Sequence, residues 1–347
     1  MSQLFIQFEK NGAATAVDME AFSSKIADVH ATQLYLVETL LQKFRKCSQA
    51  VSAIESMSHG VIRGYLQLNQ AERLLPILQD KLNYGIFPDD TSFCLLLDHF
   101  IEKGDLESAV KISIEMMLQD DMAHNAGRLL SLYACSKYLE ENKESLLAAF
   151  TDDNKPQLDD DEDDYVVQRF IPMHNFDDHF DITDEKRLFG RTLDLIGRHG
   201  TDCPIHQSYL LIGLALHEDF DKLFSLLEAY IENPENCQQF YREVLQVIEL
   251  SLAACRFKTE TIVREPGSEL KEDSEYNARH SLEEKESYIA KYQEMKARLD
   301  ETPFIDGNLL SDTQELVTKG LQDSLKADIQ AYRDQLKNLV RNQKAKH

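Results

Sequence analysis

Apolar residues recur at helical spacing over most of the chain, and the pattern is clearest between Gly85 and Met116. Phe93, Leu96, Leu97, Phe100 and Ile101 stand at i, i+3, i+4, i+7 and i+8, which predicts a helix with one apolar stripe. Lys103-Gly104-Asp105 interrupts it: Gly supplies the permissive backbone of a tight turn, and Asp105 suits the N-cap of the next helix. That second helix carries Leu106, Ala109, Val110, Ser113 and Met117 on one face. Such a hairpin leaves apolar surface that only stacked neighbours can cover.

A shift of 35 residues lays Val61, Ile62, Tyr65, Leu66, Asn69, Leu75 and Ile77 over Leu96, Leu97, Phe100, Ile101, Gly104, Val110 and Ile112. This is an internal repeat, and its length lies in the range of two-helix repeat units. In the first copy Asn69 and Glu72 have capping-box spacing, and Pro76 lies within the second helix, where a kink is expected. Upstream, Phe22, Ile26 and Val29, then Leu34, Val37, Leu40, Leu41 and Phe44, predict a helical lead-in. A weaker third unit spans about Ala126 to Phe150.

The acidic run Asp159 to Asp164 then cuts the pattern, and with Thr151 to Pro156 it reads as a linker. Thr183 suits the N-cap of a helix from Asp184 to His199, stopped by Gly200. Further helices are expected over Ile205–His217, Phe220–Ile231 and Glu235–Phe257, followed by a polar linker and two long helices. The last helix places Leu325, Ile329, Tyr332, Leu336 and Leu339 along a coiled-coil seam, for which Ile289, Tyr292 and Leu299 of the preceding helix offer a matching stripe, with a homodimer as the alternative. The expected organisation is a helical lead-in over 1–54, repeats over 55–150, an acidic linker and loop over 151–182, further hairpins over 183–258, a linker over 259–277 and long helices with a basic tail over 278–347.

Gly85-Ile86-x-Pro88-Asp89, Ser92-Phe93, Leu96-Leu97-Asp98, Gly104-x-Leu106-Glu107-x-Ala109 and Met116 resemble the signature of a pentatricopeptide repeat. Three runs, Asn83 to Asp89, Glu115 to Asp120 and Thr313 to Val317, are similar to the pentatricopeptide-repeat protein of the mitochondrial ribosomal small subunit, the S-twenty-seven family. The resemblance implies an all-α chain, a right-handed α-solenoid of pentatricopeptide-like hairpins ending in a long-helix or coiled-coil segment. It implies a structural ribosomal protein of the mitochondrial matrix that touches small-subunit ribosomal RNA and other mitochondrial ribosomal proteins and has no catalytic centre. It also implies base-facing pairs near the start of each repeat's first helix and at its last position, which fall on His59 with Asp89 and on Cys94 with His124. Neither pair is the Asn, Ser or Thr with Asp or Asn that the family uses to read bases, so a scaffold is favoured over a transcript reader.

Composition changes this picture mainly through charge. A formal net charge of -24 repels a polyanion and favours protein contacts over broad RNA binding. RNA contact is therefore expected from limited basic patches: Lys43, Arg45 and Lys46; Lys186, Arg187, Arg191 and Arg198; and the tail Lys337, Arg341, Lys344, Lys346 and His347. For each patch the alternative is a solvated face or a complement to the helix dipole. The six cysteines are widely spaced and read as reduced thiols, and no stretch approaches a membrane span. The first residues, MSQLFIQFEKNG, lack the Arg-rich, acid-poor character of a mitochondrial transit peptide.

No phosphate loop, dinucleotide fingerprint, HExxH or GxSxG motif is present, so neither an enzyme nor a cofactor or small-molecule substrate is expected. His174, Asp177, Asp178 and His179 could be read as metal ligands, but adjacent polar residues suit an ordered loop better. A free helical adaptor for protein partners, or an organelle RNA-processing factor, remains the alternative function.

Overall fold

The computed structural model describes residues 13–52, 55–146, 182, 184–200, 203–234, 237–255, 257–258, 280–300 and 302–344, with residues 4, 6, 8 and 10. Beyond residue 330 it describes backbone only. The described chain is helical apart from a two-residue parallel strand pair, β1 (Phe257–Lys258) and β2 (His280–Ser281), and an isolated bridge between Tyr241 and Ile305. It divides into two compact units, residues 1–138 with 314–347, and residues 139–313.

The first unit begins with α1 (Ala16–Ser23) and α2 (Leu34–Arg45), joined by short 3-10 turns. It continues with α3 (Glu55–Gln67), α4 (Leu74–Gln79), α5 (Lys81–Tyr84), α6 (Asp90–Lys103), α7 (Leu106–Leu118) and the start of α8 (Asn125–Glu141). The expected α6/α7 hairpin is present. Phe93, Leu96, Leu97 and Phe100 are fully buried, Gly104 turns the chain at φ 74°, and the Asp105 side chain accepts from the Ser108 amide. Packing follows the repeat: α3 lies against α6, α4 against α7, and α1 against α3. The equivalent residues Tyr65 and Phe100 are both fully buried, each 0% exposed.

The turn ending α3 corrects one expectation. Asn69 does not open a capping box; it closes α3 in the left-handed conformation, φ 54°. The Gln70 amide donates to the Tyr65 carbonyl and the Asn69 amide to the Leu66 carbonyl, and Asp105 and Gly104 do the same to Phe100 and Ile101. The residue aligned with Gly104 therefore performs the work of Gly104, since Asn tolerates the left-handed region better than most residues. Asp120 ends α7 in the same way, φ 54°.

The expected kink at Pro76 is also absent. A 3-10 turn at Ala71–Arg73 precedes α4, so Pro76 falls in the first helical turn, where a missing N–H costs nothing. The break comes at Asp80, which caps α5 by accepting from the Asn83 amide at 3.1 Å.

The second unit contains the short α9 (Lys143–Leu146), α10 (Glu185–Arg198), α11 (Pro204–Leu216), α12 (Phe220–Glu232), α13 (Glu243–Ala254) and α14 (Leu282–Leu299). Thr183 lies outside the described residues; Asp184 supplies the α10 cap, accepting from the Lys186 amide. The helix expected over Glu235–Phe257 is shortened to α13, because Tyr241 bridges to Ile305 and its amide donates to Ser208 Oγ. Helix α10 crosses α11 at minimal distance: a Cβ on Gly213 would lie 2.3 Å from the Asp194 amide nitrogen. Helix α11 also packs on α13, and α12 on α14. The stripe expected to receive the last helix is spent here, for Tyr292 donates to the Leu245 carbonyl of α13 and α14 packs on α12 and α13.

The final helix α15 (Leu309–Lys344) begins in the second unit, where Tyr209 bonds Thr313 and Tyr241 donates to Asp312. From Gln314 onward it belongs to the first unit. There Gly320 lies against Leu129, and the Asn125 amide group bonds Ser324. Leu325, the first residue of the expected seam, is 62% exposed. The linkers 151–181 and 259–279, including His174, Asp177, Asp178 and His179, lie outside the described residues.

Candidate nucleic-acid interface

The residues that the repeat places in equivalent positions meet in pairs. His59 stands one turn into α3, and its Nδ1 lies 3.7 Å from Asp89 Oδ1 and 3.0 Å from Ser92 Oγ. One repeat later, Cys94 Sγ lies 3.8 Å from His124 Nδ1. Asp89 is held there because it caps α6, accepting from the Ser92 amide at 2.9 Å. Sequence reasoning misses Ser92 as a member of this group; its signal is its place three residues after an N-cap carboxylate.

The His59, Ser92 and Asp89 grouping does not form a catalytic relay. The same ring nitrogen faces both oxygens, whereas a relay needs the serine on one nitrogen and the carboxylate on the other. Ser92 is also 0% exposed, out of reach of a substrate.

The electrostatics around these pairs are acidic. Burial pushes the Cys94 thiol up to about 11, with Asp90, Asp328, Asp89 and Asp98 adding to the rise. Asp121 is raised by burial and by the neighbouring Asp90 carboxylate. A phosphate approaching the second pair thus meets several carboxylates, which oppose it.

The basic candidates fall in different settings. Lys43, Arg45 and Lys46 are exposed at the end of α2, and the aliphatic stem of Arg45 covers Gly85, whose φ is 66°. Lys186, Arg187 and Arg191 are half-buried on α10. Arg191 reaches inward: its Nη1 is 2.8 Å from Asp194 Oδ2, and Arg198 binds the same carboxylate through two nitrogens at 2.7 and 2.8 Å. Asp194 is 0% exposed, so these two cations serve a buried acid. Lys337, Arg341 and Lys344 lie on the helical backbone of α15, at spacings that place them on one face. Lys346 lies outside the described residues. The structure thus brings together the residues of each repeat pair and leaves the basic candidates in separate patches.

Among the described residues no group of three or more His, Cys, Asp or Glu is arranged to hold a metal, and no helix is long and apolar enough to cross a membrane.

A family model described as mitochondrial 28S ribosomal protein S27 matches residues 1–346, essentially the whole chain. That extent fits the short runs that carry the sequence resemblance, which lie as far apart as Asn83 and Val317. The chain therefore belongs to the mitochondrial 28S ribosomal protein S27 family, and is a protein of the mitochondrial ribosomal small subunit.

Proposed function

We propose that this chain is a non-catalytic scaffold of the small subunit, a solenoid of pentatricopeptide-like hairpins that holds ribosomal RNA and neighbouring ribosomal proteins in place for translation in the mitochondrial matrix. The observation that carries the reading is the repetition of detail at one offset. First helices pack on first helices and second on second, and both copies end their first helix with the same left-handed cap and start it with a His59/Asp89 or Cys94/His124 pair. Family membership supports the ribosomal assignment.

RNA contact is assigned to Lys43, Arg45 and Lys46, exposed on α2, to Lys337, Arg341, Lys344 and Lys346 at the C-terminal end, and to Lys186 and Arg187 on α10. Arg191 contributes least, because its charge is matched by Asp194. The carboxylate-lined repeat face suits basic protein neighbours rather than nucleotide bases. Gradient fractionation of mitochondrial extract tests this: the chain is expected with the small subunit and to stay there at moderate salt. Recovery only in free fractions would instead favour a free adaptor that joins protein partners.

A further inference from the structure

A groove of about 470 Å³ lies in the second unit, where α10, α11 and α12 meet. Its floor is aliphatic: Leu210 and Leu214 stand one turn apart on α11, and Leu226 joins them from α12. Glycine fixes the near edge. A Cβ on Gly197 would lie 2.6 Å from Leu210 Cβ, so α10 crosses α11 at backbone distance, and Arg198, the next residue, stands beside the floor.

The charges of the lining are arranged with cations outward. Arg198 Nε lies 2.7 Å from Asp194 Oδ1, and Lys222 Nζ lies 2.7 Å from Asp219 Oδ2. In each pair the acid is the buried member, 0% and 10% exposed at the side chain, whereas Arg198 and Lys222 are 46% and 61% exposed. Asp221, the remaining acid of the lining, accepts from the Tyr288 hydroxyl of α14 at 3.1 Å. An approaching molecule therefore meets a guanidinium and an ammonium beside leucine surface, on a chain whose formal net charge is -24.

That pattern selects against RNA. Among the described residues no aromatic ring lines the groove, so a base finds nothing to stack on, and an aliphatic floor offers nothing to a phosphate. It suits an amphipathic helix instead: aliphatic side chains one turn apart cover the leucines, and carboxylates beside them reach the outward cations.

We propose that this groove docks an acidic amphipathic helix of a neighbouring small-subunit protein, with its apolar stripe on Leu210, Leu214 and Leu226 and its carboxylates on Arg198 and Lys222. The proposal rests on the protein-contacting scaffold reading and deepens it by naming one surface and the chemistry of its partner. The leucines supply buried area, and the two cations discriminate an acidic partner from a basic one.

A diazirine amino acid in place of Ser225, an exposed position of the lining, tests this in the full-length chain assembled into small subunits. Photolysis and mass spectrometry are expected to return a protein peptide with aliphatic residues at three- or four-residue spacing and Asp or Glu beside them. Lys222→Glu is expected to lower the crosslink yield per assembled chain about tenfold, and Leu226→Asp by at least about as much, because each sets a carboxylate against the partner's acids. Lys222→Arg should keep the yield, and exchange of the partner's acid for Lys should restore it with Lys222→Glu. Circular dichroism is expected to show unchanged helix content, since Lys222 and Leu226 are both exposed.

If assembled subunits give no crosslink, or one to RNA, to this chain itself, to a second copy or to a peptide without acids, the docking assignment is overturned while the scaffold reading stands. Equal yields from the native chain, Lys222→Glu and Leu226→Asp would overturn it too. If the native chain never enters small subunits, both fall.

Discussion

Asp194 shows how a single residue redirects two basic candidates. Its carboxylate is fully buried and receives Arg191 from one side and the fork of Arg198 from the other. Removing it would leave the 14%-exposed Arg191 guanidinium with its main partner gone. Asp194→Ala is expected to cost about 3 kcal/mol in urea unfolding, whereas Arg198→Ala, at the more exposed partner, should cost under about 1 kcal/mol. Equal losses would contradict the buried-pair account. Asp89 gives a pH-dependent counterpart. Burial pushes its carboxyl upward, but hydrogen bonds from Ser92 and the charge of His59 outweigh this and hold it below its ordinary value of 3.8. A depressed carboxylate stabilises the folded state above its unfolded value, and that contribution disappears as pH falls through the lowered folded value. Asp89→Asn keeps a cap but loses this term, so its unfolding free energy should fall less steeply than that of the native chain below about pH 4.

At the scale of elements, the left-handed caps carry the most instruction. Among the described residues three of them occupy residues other than glycine: Asn69, Asp120 and Glu218. Each costs roughly 1 kcal/mol relative to glycine, less for Asn and Asp, which tolerate this region. Asn69→Gly is expected to raise stability by up to about 1 kcal/mol, and Asn69→Ala to lower it by about as much, both read from thermal unfolding. The helices are legible from apolar spacing because burial of one stripe dictates it, and the caps at Asp105 and Gly104 are legible from residue type. Asn69 misleads because Asn serves both helix starts and left-handed ends, and the following Glu72 imitates a capping box. The alignment of Asn69 with Gly104 holds the answer. Pro76 misleads because its effect depends on where the helix begins, which one sequence fixes poorly.

For the whole molecule, the last helix matters more than its sequence suggests. The apolar stripe on α14 expected to receive it is covered by α12 and α13. Its opening turns bury Leu309 and Thr313 in the second unit, and from Gln314 onward it completes the first. A chain ending at Thr313 should therefore lose protection in α8, where Leu129 and Asn125 meet Gly320 and Ser324. Amide hydrogen exchange along α8 is expected to accelerate at least about tenfold, with little change in α6 and α7; uniform rates would show that the helix is dispensable there.

The membership of residues 314–347 in the first unit bears on how the polypeptide is made. Synthesis delivers the amino-terminal hairpins first, yet a segment they require leaves the exit tunnel only after the whole of residues 139–313 has been translated. The earliest hairpins thus wait longest for their last partner, and a copy that stops short of Gln314 has no completed amino-terminal surface to offer an assembling particle.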